Sequence, residues 1–167
     1  MKIRCQKALP RNFSDHPEGG KILAETDIAI RGHDSPRAIG RLRAKLLVFK
    51  TRRDMYGFIK QALGSNGLGA LGFVSQLVEE RLTFKGGRAS TTLMIDPRYF
   101  CVICLVQGYL TMEIITHEAC HAGIYFSQRS RHQWPNQKDA PSEAICYPTG
   151  RIASAINRFL HDRGLYE

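Results

Sequence analysis

Two histidines four residues apart, with a glutamate directly after the first, stand in the run His117-Glu118-Ala119-Cys120-His121. On an α-helix, residues four apart lie one above the other, so both imidazoles can be aimed at one point. A neutral imidazole is a well-matched donor for Zn²⁺, and a catalytic zinc typically takes three protein ligands and leaves its fourth place to water. Glu118 stands about 100° round the helix from His117, where its carboxylate can reach that water without occupying the metal. The chemistry such a set would do is hydrolysis: the carboxylate takes a proton from the water and later returns it to the leaving group.

The pattern works only on a helix, and the flanking residues predict one. Thr111 is a capping residue, Glu113 falls in the first turn where the helix dipole favours a carboxylate, and the helix is expected to run to about Phe126. Upstream, Thr91 to Ile95 is rich in β-formers, Asp96-Pro97 breaks it, and Phe100 to Val106 reads as an apolar strand that Gly108 ends. These two strands are expected to pair as a hairpin. Downstream, a polar loop from Ser127 to Ala140 leads to Pro141 and Ser142, which introduce a last helix towards Asp162. Pro148 is expected to kink or divide it.

Further elements frame this region. Ala44 to Phe49 reads as a strand, and Thr51-Arg52-Arg53-Asp54 resembles a capping box with Asp in place of Glu. It opens a helix whose apolar face is Met55, Phe58, Ile59, Ala62 and Leu63, stopped by Gly64. The glycine-rich stretch from Gly64 to Gly72 lacks the Gly-Lys-Ser/Thr close of a phosphate loop and reads as a flexible connection. From Phe73 to Phe84 the pattern fits a short helix running into a strand, with a turn at Lys85-Gly86-Gly87. Residues 1–40 carry no clear periodicity and are expected to form an irregular arm.

A chain of 167 residues, 43% hydrophobic and 23% charged, is of ordinary globular make-up, so one domain over residues 1–167 is expected. No apolar h-region follows the basic first residues, and Phe100 to Val106 is far short of the roughly 20 residues that cross a bilayer. The five cysteines are odd in number and sparse, the pattern of reduced thiols, so a cytoplasmic protein is expected. Cys101 and Cys104 form a C-x-x-C. On a strand, however, residues three apart point to opposite faces, which favours burial over metal binding. The formal charge of +9 is concentrated in the first half of the chain, notably in Arg41, Arg43, Lys45, Lys50, Arg52, Arg53 and Lys60. This basic region, Arg41 to Lys60, could meet nucleic acid or an acidic partner; a solvated basic face is the plainer reading, because no nucleic-acid motif accompanies it.

His117-Glu118-Ala119-Cys120-His121 resembles the active-site helix of the zincin metallopeptidases. The resemblance implies an α+β fold, a small antiparallel or mixed sheet packed on helices, with an edge strand that pairs with an extended peptide or protein substrate. The metzincin branch would need a glycine at Ile124 and a histidine at Ser127, and is excluded. Candidates for a third zinc ligand are His132, Asp139, Glu143 and His161. Glu143 is chosen, 22 residues beyond His121 and at the start of a helix that can lie against the first.

That spacing is similar to the gluzincins, in particular to the compact cytoplasmic or phage-encoded members called minigluzincins, and it places the zinc-site core at residues 91–165. The chain departs from thermolysin-like enzymes in having Tyr147 where they carry an Asp four residues after the Glu, and in the early Pro148. Tyr147, Tyr125 or His132 are candidate donors to a developing oxyanion. Two other functions compete with the metallopeptidase: a DNA-associated protease of the SprT-like kind, and an inactive zinc-binding interaction module.

Overall fold

The computed structural model describes residues 21–30, 42–62, 69–76, 78–85, 88–95, 99–130 and 143–166, with backbone alone for 61–62, 78–85, 88–95, 130 and 143. The chain is α+β. Strand β1 (Ile22–Ala29) and strand β2 (Arg43–Phe49) lead into helix α1 (Arg52–Ala62). Strands β3 (Gly72–Ser75), β4 (Val78–Lys85), β5 (Arg88–Ile95) and β6 (Tyr99–Val106) follow, then helices α2 (Met112–Ser130) and α3 (Glu143–Asp162). Four strands form one mixed sheet in the order β1-β2-β6-β3, and β4 and β5 form a separate antiparallel pair.

Strand β6 sits at the centre because of its composition. All seven residues from Phe100 to Val106 are buried, so both faces of the strand must be covered. It runs parallel to β2 and antiparallel to β3. Its even-spaced residues Cys101, Ile103 and Leu105 join Ala44, Leu46 and Val48 of β2 in a core completed by Ile115, Ala119 and Phe126 of α2 and by Ile152, Ile156 and Leu160 of α3. The alternate set, Val102, Cys104 and Val106, packs with Leu47 and Phe49 against Met55, Phe58 and Ile59 of α1. The sheet is therefore a middle layer, with α1 on one face and α2 with α3 on the other. Cys101 and Cys104 do fall on opposite faces, both buried as free thiols.

Local signals read from sequence are found where capping chemistry is explicit. The Thr51 hydroxyl accepts the Asp54 amide at 3.2 Å and donates to its carboxylate at 2.7 Å at the start of α1. The Ile114 amide donates to the Thr111 hydroxyl at 3.3 Å ahead of α2. Gly108, at φ +82°, makes the turn out of β6 that closes with Tyr109 N–H on the Val106 carbonyl. Gly164, at φ +61°, ends α3 with the paired bonds Leu165 to Leu160 and Gly164 to His161 that cap a helix C-terminus.

Several expectations are corrected. Strand β5 pairs with β4, not with β6, because a strand buried on both faces is drawn between two neighbours of the main sheet. Residues 73–84 contain no helix among the described residues: Phe73 to Ser75 belong to β3 and Val78 to Phe84 to β4, while Leu77 lies outside the described residues. Pairing with β6 decides what the mixed local pattern left open. The arm over residues 1–40 contains β1, whose weak alternation becomes a strand through its antiparallel register with β2.

Helix α2 continues beyond Phe126 to Ser130, since Phe126 packs edge-on against Phe100 at 5.4 Å, Ser127 is buried, and Arg129 suits the last turn. Pro148 lies inside α3 without dividing it. At the sixth position it removes only the bond to Ala144, in the first turn. Gly64 and the connection between α2 and α3, with Pro141 and Ser142, lie outside the described residues.

Candidate metal centre

Helix α2 lies across β6 and β3, with Ile115, Ala119, Ala122 and Phe126 turned into the core. The same 3.6-residue period brings His117 and His121 onto the exposed side. Their rings meet at a centroid distance of 4.8 Å and an interplanar angle of 77°, and the two Nε2 atoms stand 3.2 Å apart. Two imidazole nitrogens bound at 2.0–2.1 Å to one tetrahedral zinc would stand about 3.3–3.4 Å apart. The observed separation is close to that value, and it is equally that of one N–H···N hydrogen bond between the rings.

Glu118 is the buried member of the set, 6% exposed between two exposed histidines. Burial holds its carboxyl above the ordinary glutamate range, against the opposing pull of His117. The side chain lies on Gly72, the first residue of β3. A Cβ built on Gly72 would stand 2.6 Å from Glu118 Cγ, 2.8 Å from its Oε1 and 2.9 Å from its Cδ. At the far end of β3, Gln76 Nε2 reaches Gln128 Oε1 at 3.4 Å. Ten residues of helix rise about 15 Å and four residues of strand about 13 Å, so β3 runs alongside α2 in the same sense past the histidines. Among the described residues it is an edge strand, with one side paired to β6.

The approach to β3 is anchored from α1. The Tyr56 hydroxyl accepts from Gly69 N–H at 3.0 Å and from the Arg52 guanidinium at 2.7 Å, and donates to the Ala70 carbonyl at 2.9 Å. The backbone two residues ahead of Gly72 is thus tied to a buried-face helix. Sequence reasoning missed both Tyr56 and Gly72. The signal for Gly72 was its place at the end of a glycine-rich stretch, where a close approach by a neighbour is one meaning of a glycine in a strand.

Among the described residues no group of three or more His, Cys, Asp or Glu is placed to hold one metal ion. Glu143 opens α3, and its side chain lies outside the described part of the chain, as do His132 and Asp139. Helices α2 and α3 are packed together and antiparallel: Met112 meets Asn157, whereas Gly123 meets Ile145 and Thr149. The beginning of α3 accordingly lies towards the second half of α2. His161 is at the other end of α3, exposed and beside Asp162. Tyr147 is half-buried, with its hydroxyl accepting a short hydrogen bond from Arg151 and the Arg151 guanidinium 4.9 Å from its ring centre.

Within the basic region, Arg43 pairs with Asp27 at 3.2 Å, and Lys45 with Asp27 at 3.3 Å and Glu25 at 3.5 Å. Lys50, Arg53 and Lys60 are exposed, whereas Arg41 lies outside the described residues. Among the described residues no helix is long and apolar enough to cross a membrane. Comparison of the chain with models of protein families, with curated proteins and with solved structures found no match.

Proposed function

We propose that the chain is a zinc-dependent hydrolase built on the His117-Glu118-Ala119-Cys120-His121 helix. More particularly, it is read as a compact metallopeptidase of the gluzincin-like zincin kind, acting on peptide or protein substrates. The observation that carries the reading is the 3.2 Å approach of the two Nε2 atoms, with the carboxylate of the intervening residue Glu118 held against β3.

His117 and His121 would hold the ion, with Glu143 as the third ligand, and bound zinc would supply a water acidic near neutral pH and polarise the scissile carbonyl. Glu118, buried and with its proton affinity raised, is suited to accept the proton of that water and to donate it to the leaving amine. The side of β3 that has no strand partner among the described residues would offer main-chain donors and acceptors to an extended peptide lying beside the Glu118 carboxylate. A structural zinc site has no use for a carboxylate so placed, which sets the peptidase ahead of an inactive zinc module.

The test is zinc content and hydrolysis of dye-labelled casein for wild type, His117→Ala and Glu118→Gln. About one zinc per chain in wild type and Glu118→Gln is expected, with turnover reduced by a factor of about 10² to 10⁴ in the latter. Zinc bound equally well by His117→Ala, or full turnover by Glu118→Gln, overturns the reading.

A further inference from the structure

We infer that Gly72 is a positioning residue for Glu118: the absence of a side chain at this edge-strand position makes the recess in which the carboxylate is held. The inference rests on the reading of Glu118 as the proton carrier. Glycine weakens a strand by its entropy and its lack of packing surface, so its presence in β3 calls for a local cause. Backbone conformation is not that cause, since Gly72 is absent from the positive-φ glycines Gly69, Gly108 and Gly164. Close approach is. The three atoms nearest to a Cβ at position 72 all belong to Glu118, at 2.6 to 2.9 Å, closer than side-chain carbons come in folded proteins. Neither imidazole is among them.

The placement has a chemical consequence. Gly72 pairs with Leu105 of β6 and shares the α2 face of the sheet with Val74, so the recess opens towards the helix. Glu118 is wedged between that strand and its own helix and is nearly excluded from solvent. Its carboxylate is thereby fixed relative to the strand edge on which a peptide would pair, as well as to the two histidines. Tyr56, which binds the backbone at Gly69 and Ala70 and accepts from the Arg52 guanidinium, holds the recess in register. The first atoms that a side chain at position 72 would displace are those of the Glu118 side chain.

Gly72→Ala, Glu118→Ala and the double variant test this by two readouts. With dye-labelled casein, Gly72→Ala is expected to lose about 100-fold in kcat at nearly unchanged KM and unchanged zinc content, the size of effect that a displacement of about 1 Å brings. Thermal unfolding of the zinc-free proteins gives a readout independent of catalysis. Gly72→Ala alone should lower the midpoint by about 5 °C, the effect of a crowded core position in a chain of this size, whereas the same change in the Glu118→Ala background should be neutral or stabilising.

An equal loss of stability in both backgrounds, or failure of both Gly72 variants to fold, would show that Gly72 serves the strand and not Glu118. Full kcat in a zinc-loaded Gly72→Ala would do the same. If wild type binds no zinc and cleaves nothing while the stability coupling persists, the peptidase reading fails and the Gly72–Glu118 contact stands.

Discussion

Gly123 of α2 and Thr149 of α3 approach so closely that a Cβ on Gly123 would stand 2.3 Å from the Thr149 hydroxyl oxygen, and 3.1 and 3.2 Å from the Ile145 carbonyl and Thr149 amide. Two of these neighbours are backbone and cannot rotate away. The third is itself held, since Thr149 donates to the Ile145 carbonyl at 2.7 Å. This contact brings the α3 backbone against α2 just beyond His121, and so sets how near the start of α3 comes to the two histidines.

Gly123→Ala is accordingly expected to destabilise the protein by about 2 kcal/mol, the usual cost of overpacking, and to lower the midpoint of thermal unfolding by about 4–8 °C. Circular dichroism melts read this directly. A change of less than a degree would show that the helices are not held at this distance.

Zinc removal tests the third ligand. Treatment with a chelator should abolish casein cleavage and added zinc should restore it, while Glu143→Ala should weaken zinc affinity by more than about tenfold, since even outer partners of a ligand carry about 10- to 100-fold. Undiminished zinc affinity in Glu143→Ala, measured by competition with a chromogenic chelator, removes Glu143 from the ligand set.

The buried carboxylate gives a pH-dependent stability in the zinc-free protein. Burial raises the Glu118 carboxyl above its ordinary range in the folded chain, so ionisation is easier after unfolding. Stability from this group is therefore greatest below the ordinary glutamate pKa of about 4.3 and falls as pH rises towards the folded value. Glu118→Gln should melt higher than wild type at pH 8, with the gap closing at pH 4. A gap that is constant with pH would place the carboxylate in water.

The strand thiols make a second, alkaline prediction. Burial pushes the Cys101 and Cys104 thiols up, with the Cys104 charge adding at Cys101 and the Glu118 charge at Cys104, whereas Cys120 and Cys146 are exposed. The native protein should react with a disulfide reagent at Cys120 and Cys146, and at Cys101 and Cys104 only on unfolding. Because the folded thiols keep their protons, stability should fall as pH rises above the ordinary thiol pKa of about 8.5. Mass mapping of the modified cysteines, together with melts at pH 7 and pH 10, checks both. Rapid labelling of Cys104 in the native state would sink the assignment.

The helix carrying His117, Glu118 and His121, its Thr111 cap, the Thr51–Asp54 cap of α1 and the opposed faces of Cys101 and Cys104 were all legible in the sequence. Each depends on a period or on partners within four residues, so chain-local geometry decides it. The order β1-β2-β6-β3, the pairing of β5 with β4 and the strand character of residues 22–29 were not, because strand partners are chosen by burial across tens of residues. The same holds at the candidate site. Two side chains at i and i+4 share one face once the segment is helical, so that His117 and His121 can meet follows from the spacing. That Glu118 would be buried, and against a glycine 46 positions earlier, was decided only when the sheet brought β3 beneath α2.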